Sequence, residues 1–180
     1  MEKITATFLK FSAKMKKSTE IVDFASTLAS ARSVLIIMPD NLEHFGVARN
    51  FIPEIKNNFS DAKLLFLTRE NYHSLLEINQ PHGIIFVTDD DINQLGLPKK
   101  KLQNKILATN FDVVIDLNLD FHLLSTFLCQ ISNAQLNICL DDQNREPFYN
   151  LSFRMNTQKN LEEKYQSLLK YLSVFSQINS

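Results

Sequence analysis

Ser33-Val34-Leu35-Ile36-Ile37-Met38, closed by Pro39, is the stretch that decides how this chain folds. It is mostly apolar, carries the β-branched residues Val34, Ile36 and Ile37, and stops sharply at the proline. A strand buried on both faces by covering helices needs such an unbroken apolar run, as in the middle of a parallel sheet. The run is therefore expected to be an interior strand. The polar groups that follow it should then gather at the carboxyl-end rim of the sheet.

Working outward, residues 42–55 read as a helix, broken or frayed by Gly46 and Pro53, and residues 63–67 read as a second strand. A short helix over 70–78 leads through Pro81 and Gly83 to a third strand, Ile84-Ile85-Phe86-Val87, which ends in Asp89, Asp90 and Asp91. Pro98 opens a basic helix through Leu107, followed by a strand over 112–117, a helix over 121–132 and a strand over 135–140. Residues 141–147 form a polar loop, 149–155 alternate enough for a short last strand, and 158–177 form an amphipathic helix. The apolar face of that helix carries Leu161, Tyr165, Leu168, Leu169, Leu172 and Phe175.

Strands alternating with helices require crossover connections and so a parallel sheet. The expected fold is α/β: a Rossmann-like three-layer domain over residues 32–180, with a mostly parallel sheet of about six strands and helices on both faces. Residues 1–31 have a helical period, with Ile4, Phe8, Phe11 and Met15 on one side, and are expected to pack on that domain as an N-terminal helical segment.

At 180 residues the chain has the size of one domain with its own core. A net charge of -1 lacks the basic footprint needed to neutralise phosphates, so nucleic acid is not an expected partner. Neither a membrane-spanning run nor a signal peptide is legible, which points to the cytoplasm. Lys3, Lys10, Lys14, Lys16 and Lys17 give the first helix a basic side that could rest on the inner face of a membrane. Cys129 and Cys139 lie in or beside apolar stretches without zinc-site spacing and are expected to be buried, reduced thiols.

Parallel sheets bind ligands beyond the carboxyl ends of their strands, so site candidates follow from position. After the first strand come Asp40, Asn41, Glu43 and His44; at the end of the fourth come Asp116, Asn118, Asp120 and His122. His44 and His122 could serve as acid or base near neutral pH, or simply be loop and helix-start residues. His73 and His82 have no companion group nearby and receive no role. The three aspartates 89–91 could hold a divalent cation, although a loop that caps the next turn needs none.

With only Gly46, Gly83 and Gly96, no GxGxxG turn and no phosphate-binding P-loop can be written, and no GxSxG elbow is present. Conventional nicotinamide dehydrogenases, P-loop NTPases and serine hydrolases are thereby disfavoured. No cofactor and no metal are implied.

Residues 32–42, Arg-Ser-Val-Leu-Ile-Ile-Met-Pro-Asp-Asn-Leu, resemble the opening strand and turn of the heptosyltransferase-like family of glycosyltransferases. Residues 60–69 are similar to that family's second strand, and Phe-Asp-Val-Val-Ile-Asp-Leu-Asn over 111–118 resembles its strand ending in an Asp-Leu turn. The helix over 123–134 and the strand that follows it continue the likeness, which runs to about Leu172. The resemblance implies the Rossmann-like acceptor-side half of a two-domain GT-B enzyme, whose other half binds the nucleotide sugar. Where the family has Gly-Asp, the Asp being the base for the acceptor hydroxyl, this chain has Glu43-His44.

Three expectations follow from different classes. The first is a stand-alone, degenerate domain that binds a saccharide or another protein in glycan metabolism without turnover. The second is the acceptor-binding subunit of a split inverting glycosyltransferase, with the donor domain on a separate chain and the Leu161 to Phe175 face at the joint. The third is an unrelated small-molecule binding or structural α/β module. If chemistry occurs, His44 or Glu43 would be the base, with Asp40, Asn41, Asp116, Asn118 and His122 shaping the acceptor pocket. A donor-domain protein or a second copy of the chain would be the partner.

Overall fold

The computed structural model describes residues 22–76, 83–140, 145, 148–154 and 158–177. The expected helix over residues 1–21, His82 and all of the 141–147 loop except Arg145 lie outside the described residues.

Six strands form one sheet: β1 (Ser33–Ile37), β2 (Lys63–Arg69), β3 (Gly83–Val87), β4 (Val113–Asp116), β5 (Leu136–Leu140) and β6 (Leu151–Phe153). Their order is β3-β2-β1-β4-β5-β6, and every neighbouring pair is parallel. The helices are α1 (Phe24–Ser30), α2 (Leu42–Ala48), α3 (Ile52–Asn58), α4 (Lys100–Leu107), α5 (Leu123–Ile131) and α6 (Leu161–Gln177).

β1 lies between β2 and β4, and Val34, Leu35 and Ile36 are each 0% exposed. Successive side chains of a strand leave opposite faces. Val34 and Ile36 accordingly join the core built with α1, α2, α3 and α6, whereas Leu35 and Ile37 join the one built with α4 and α5. The unbroken apolar run is thus the signature of a strand with a separate core on each side. Burying each such side chain contributes about 1.5–3 kcal/mol.

Local departures from the sequence reading have physical causes. Gly46 sits inside α2 without breaking it; the irregularity falls in a 3₁₀ turn over Arg49–Phe51. Pro53 lies in the first turn of α3, where its missing N–H has no intrahelical acceptor to satisfy. The segment after β2 is a 3₁₀ turn over Glu70–Leu75, too short for an α-helix. β2 itself runs two residues past the expected end, which carries Thr68 and Arg69 to the rim.

Four of the six residues expected on the apolar face of α6 turn inward. Tyr165, Leu168, Leu169 and Leu172 are buried in the domain's own core, and α6 packs against α1, α2 and α3. Cys129 and Cys139 are buried and not joined in a disulfide, and burial pushes the Cys129 thiol well up. No helix among the described residues is long and apolar enough to cross a membrane.

Candidate functional site at the carboxyl rim of the sheet

The chain leaves β1 on one side to form β2 and β3 and returns on the other to form β4, so the sheet order reverses between β1 and β4. Crevices at such a reversal are where parallel sheets take ligands. Pro39 ends β1 and delivers Asp40 to this point, half-buried.

Arg69, at the end of β2, clamps Asp40. Its Nε donates to Asp40 Oδ1, its Nη2 to Asp40 Oδ2 at 3.4 Å, and its Nη1 to Asp89 Oδ1 at 3.2 Å. The bond to Asp40 raises the Arg69 guanidinium above its ordinary value against the opposing effect of burial. Tyr72 OH donates to the Asp40 carbonyl at 2.8 Å, and its ring packs on Phe45 at 4.6 Å. Burial, with Asp40 adding, raises the Tyr72 hydroxyl, which stays protonated and donating. His122 comes from the start of α5, with Nε2 3.7 Å from Asp40 Oδ2.

Two hollows share Asp40, Arg69 and Val87 among their lining residues. One is a polar cleft of about 720 Å³, open solvent at its mouth included, over the ends of β1, β2 and β3. The other, about 270 Å³ with open solvent likewise included, is mostly apolar, with Thr68 and His122 among its lining residues. Thr68 is 2% exposed, and its hydroxyl has no hydrogen-bond partner among the described residues. The buried Nδ1 of His122 likewise has none.

Asp116 and Asn118 do not open onto either hollow. Asp116 is 0% exposed and faces the Arg145 guanidinium, with Nη2 2.7 Å from Oδ2. Its oxygens also accept from Tyr149 OH at 2.6 Å and from Asn118 Nδ2 at 2.8 Å. Burial alone would raise this carboxyl, but Arg145 and the donors outweigh it and hold it below the usual carboxylate range. Arg145 donates in addition to the Asn118 carbonyl and lies over the Tyr149 ring at 4.7 Å. Asn118 passes this order on: its Oδ1 accepts from the Asp40 backbone N–H at 3.0 Å. Asp116 and Asn118, two of the residues expected to shape an acceptor pocket, therefore brace the rim from inside.

The other candidates divide as well. Asn41 caps α2, its side chain accepting from the His44 N–H at 3.0 Å. Glu43 and His44 follow in the first turn of α2, Glu43 exposed, and neither lines either of these two hollows. Asp91 accepts from Thr88 Oγ1 at 2.9 Å and Thr88 N–H at 3.1 Å, a local cap, while Asp89 pairs with Arg69. No group of three or more His, Cys, Asp or Glu side chains close enough to hold a metal occurs among the described residues. His73 packs edge-on against Phe86.

Sequence reasoning missed Arg69, Tyr72, Thr68 and Arg145. Arg69 had a signal, a lone cation closing the apolar run Leu64-Leu65-Phe66-Leu67. Arg145 had none, because an arginine in a polar loop is usually solvated.

The sheet order and the rim define the class: a Rossmann-like α/β domain with the fold of the heptosyltransferase-like glycosyltransferases. The glycosyl transferase family 9 protein of Veillonella parvula superposes with a TM-score of 0.63 at 16% identity, over 82% of this chain and 42% of that one. The E. coli heptosyltransferase WaaC, solved with ADP, gives 0.56 at 18% identity over 82% and 49%. The E. coli ADP-heptose LPS heptosyltransferase II gives 0.59 at 13% identity over 76% and 40%. At these identities the likeness is one of fold, and this chain spans less than half the length of each of the three enzymes. No curated protein matches it significantly in sequence. The chain belongs to DUF6913, a family of unknown function, whose match covers residues 3–175.

Proposed function

We propose that this chain is a heptosyltransferase-like acceptor-side domain that binds a saccharide at the carboxyl rim of its sheet without transferring sugar by itself, in glycan metabolism. One observation carries the reading: the open cleft is lined by convergent polar groups and an aromatic ring, Asp40, Arg69, Glu70, Asn71, Tyr72, Thr88 and Asp89, and two of its three carboxylates are committed to Arg69. Asp40 is bonded to Arg69 through both oxygens, and Asp89 is paired with the same guanidinium. Glu43 and His44, which stand where the family's base resides, lie off the cleft. Convergent polar groups beside an aromatic face suit a hydroxyl-rich ligand.

A glycan array probed with the full chain should show carbohydrate binding that Arg69→Ala abolishes. Incubation with nucleotide sugars should give neither donor hydrolysis nor transfer. Turnover by the purified chain would reject the non-catalytic part of the reading.

A second reading, the acceptor-binding subunit of a split inverting glycosyltransferase, draws on the share of the family 9 chains that this one spans. Since Tyr165, Leu168, Leu169 and Leu172 of α6 are buried in the domain's own core, a joint with a donor domain would use other residues. A donor-domain protein co-purifying from native lysate supports this reading, and sedimentation of the lysate protein as a free monomer counts against it.

A further inference from the structure

The cleft over β1, β2 and β3 is electrically lopsided. Asp40, Glu70 and Asp89 line it against one guanidinium, that of Arg69. Arg69 is largely committed, because one N–H from each of Nε, Nη1 and Nη2 is directed at Asp40 or Asp89. A phosphate entering here would meet three carboxylates and a single guanidinium already shared with two of them, at a cost in repulsion. An ammonium would meet the exposed Glu70 and the Asp89 oxygen that Arg69 does not hold, without displacing Arg69.

The remaining lining favours hydroxyls. Asn71 and Thr88 offer amide and hydroxyl groups, and the Tyr72 ring is held in place by Phe45 and by its bond to the Asp40 carbonyl.

We propose that this cleft selects an amino-bearing sugar and turns away phosphorylated ones. The inference rests on the saccharide-binding reading above and names the class of saccharide.

The test is an NMR titration of the full chain with three probes: chitobiose in its fully deacetylated form, N,N′-diacetylchitobiose, and glucose 6-phosphate. The deacetylated sugar is expected to bind about threefold or more tighter than the acetylated one at low ionic strength, with the gap closing as salt is raised. Glucose 6-phosphate is expected to leave the spectrum unchanged. The double variant Glu70→Gln/Asp89→Asn should lose the preference while keeping the wild-type melting temperature, since both side chains are exposed. Tighter or equal binding of the acetylated or phosphorylated sugar would overturn the charge preference and leave saccharide binding standing. No spectral change with any of the three would overturn both.

Discussion

The side chain of Asn118 accepts a hydrogen bond from the backbone N–H of Asp40 at 3.0 Å, across the line where the sheet order reverses. It ties the turn after β4 to the turn after β1, and Asn118 is in turn held by Asp116 and Arg145. The cleft therefore rests on a buried scaffold that reaches as far as Arg145.

Removing that tie leaves the Asp116 carboxylate one donor short. Asn118→Ala is expected to cost about 1–3 kcal/mol, the range for a buried hydrogen-bonded group, and to lower Tm by several degrees. Thermal denaturation followed by circular dichroism measures it. It should also weaken saccharide binding, because Asp40 and Arg69 lose their support; an unchanged Tm with unchanged binding would remove Asn118 from the scaffold.

The Asp116–Arg145 pair predicts a change in the sign of a pH dependence. In the native chain the Asp116 carboxyl is held below its ordinary value of 3.8, so its contribution is present above that pH and is lost as pH falls further. In Arg145→Met the buried carboxylate loses its counter-charge, and burial then raises its folded value above the unfolded one. The variant's deficit, about 3–5 kcal/mol at neutral pH, should shrink as pH falls from about 7 to 4. Urea unfolding at several pH values decides the matter, and a deficit independent of pH would contradict the assignment.

Asp91 serves a cap. Thr88→Ala and Asp91→Ala should each destabilise by about 1 kcal/mol, the usual cost of a lost capping interaction. The Asp91 carboxyl sits below its ordinary value of 3.8 because its bonds to Thr88 and the nearby Lys101 and Lys105 outweigh burial. Its contribution is thus expected to fade only below that pH. Millimolar Mg²⁺ or Ca²⁺ should leave the native Tm unchanged; a metal-dependent rise would restore the cation site that a run of three aspartates first brings to mind.

Glu43 and His44 stand off the cleft. Replacing either by alanine should leave saccharide affinity within about twofold of the native value, as expected for groups that do not touch the ligand. Calorimetric or NMR titration measures it, and a tenfold loss would place the first turn of α2 in the binding surface.

The architecture was largely legible because burial on both faces leaves a direct trace. The run from Val34 to Ile37 admits little but an interior strand, and the coordinates place it between β2 and β4. Local signals were less decisive: Gly46 lowers helix propensity by only about 1 kcal/mol, which the packing of Phe45 and Ala48 overrides. At the rim, position after a strand pointed to Asp40 and His122, which the fold brings within 3.7 Å of one another. It could not say which way a polar side chain turns. Asp116 ends a strand whose alternate faces lead to opposite cores, and its inward direction is set by Arg145, about thirty residues away in a loop with no apolar pattern. Arg69 was hidden because the end of a strand is poorly marked when its last residues are polar.

The most direct test of the central claim is amide chemical-shift mapping on the uniformly labelled full chain as deacetylated chitobiose is added. Shifts should concentrate at Asp40, Arg69, Tyr72 and Thr88, saturate with dose, and vanish in Arg69→Ala, with the sugar recovered unaltered. Shifts centred on Glu43 and His44, or chemical conversion of the sugar in the presence of a nucleotide-sugar donor, would contradict a non-catalytic binding cleft at the ends of β1, β2 and β3.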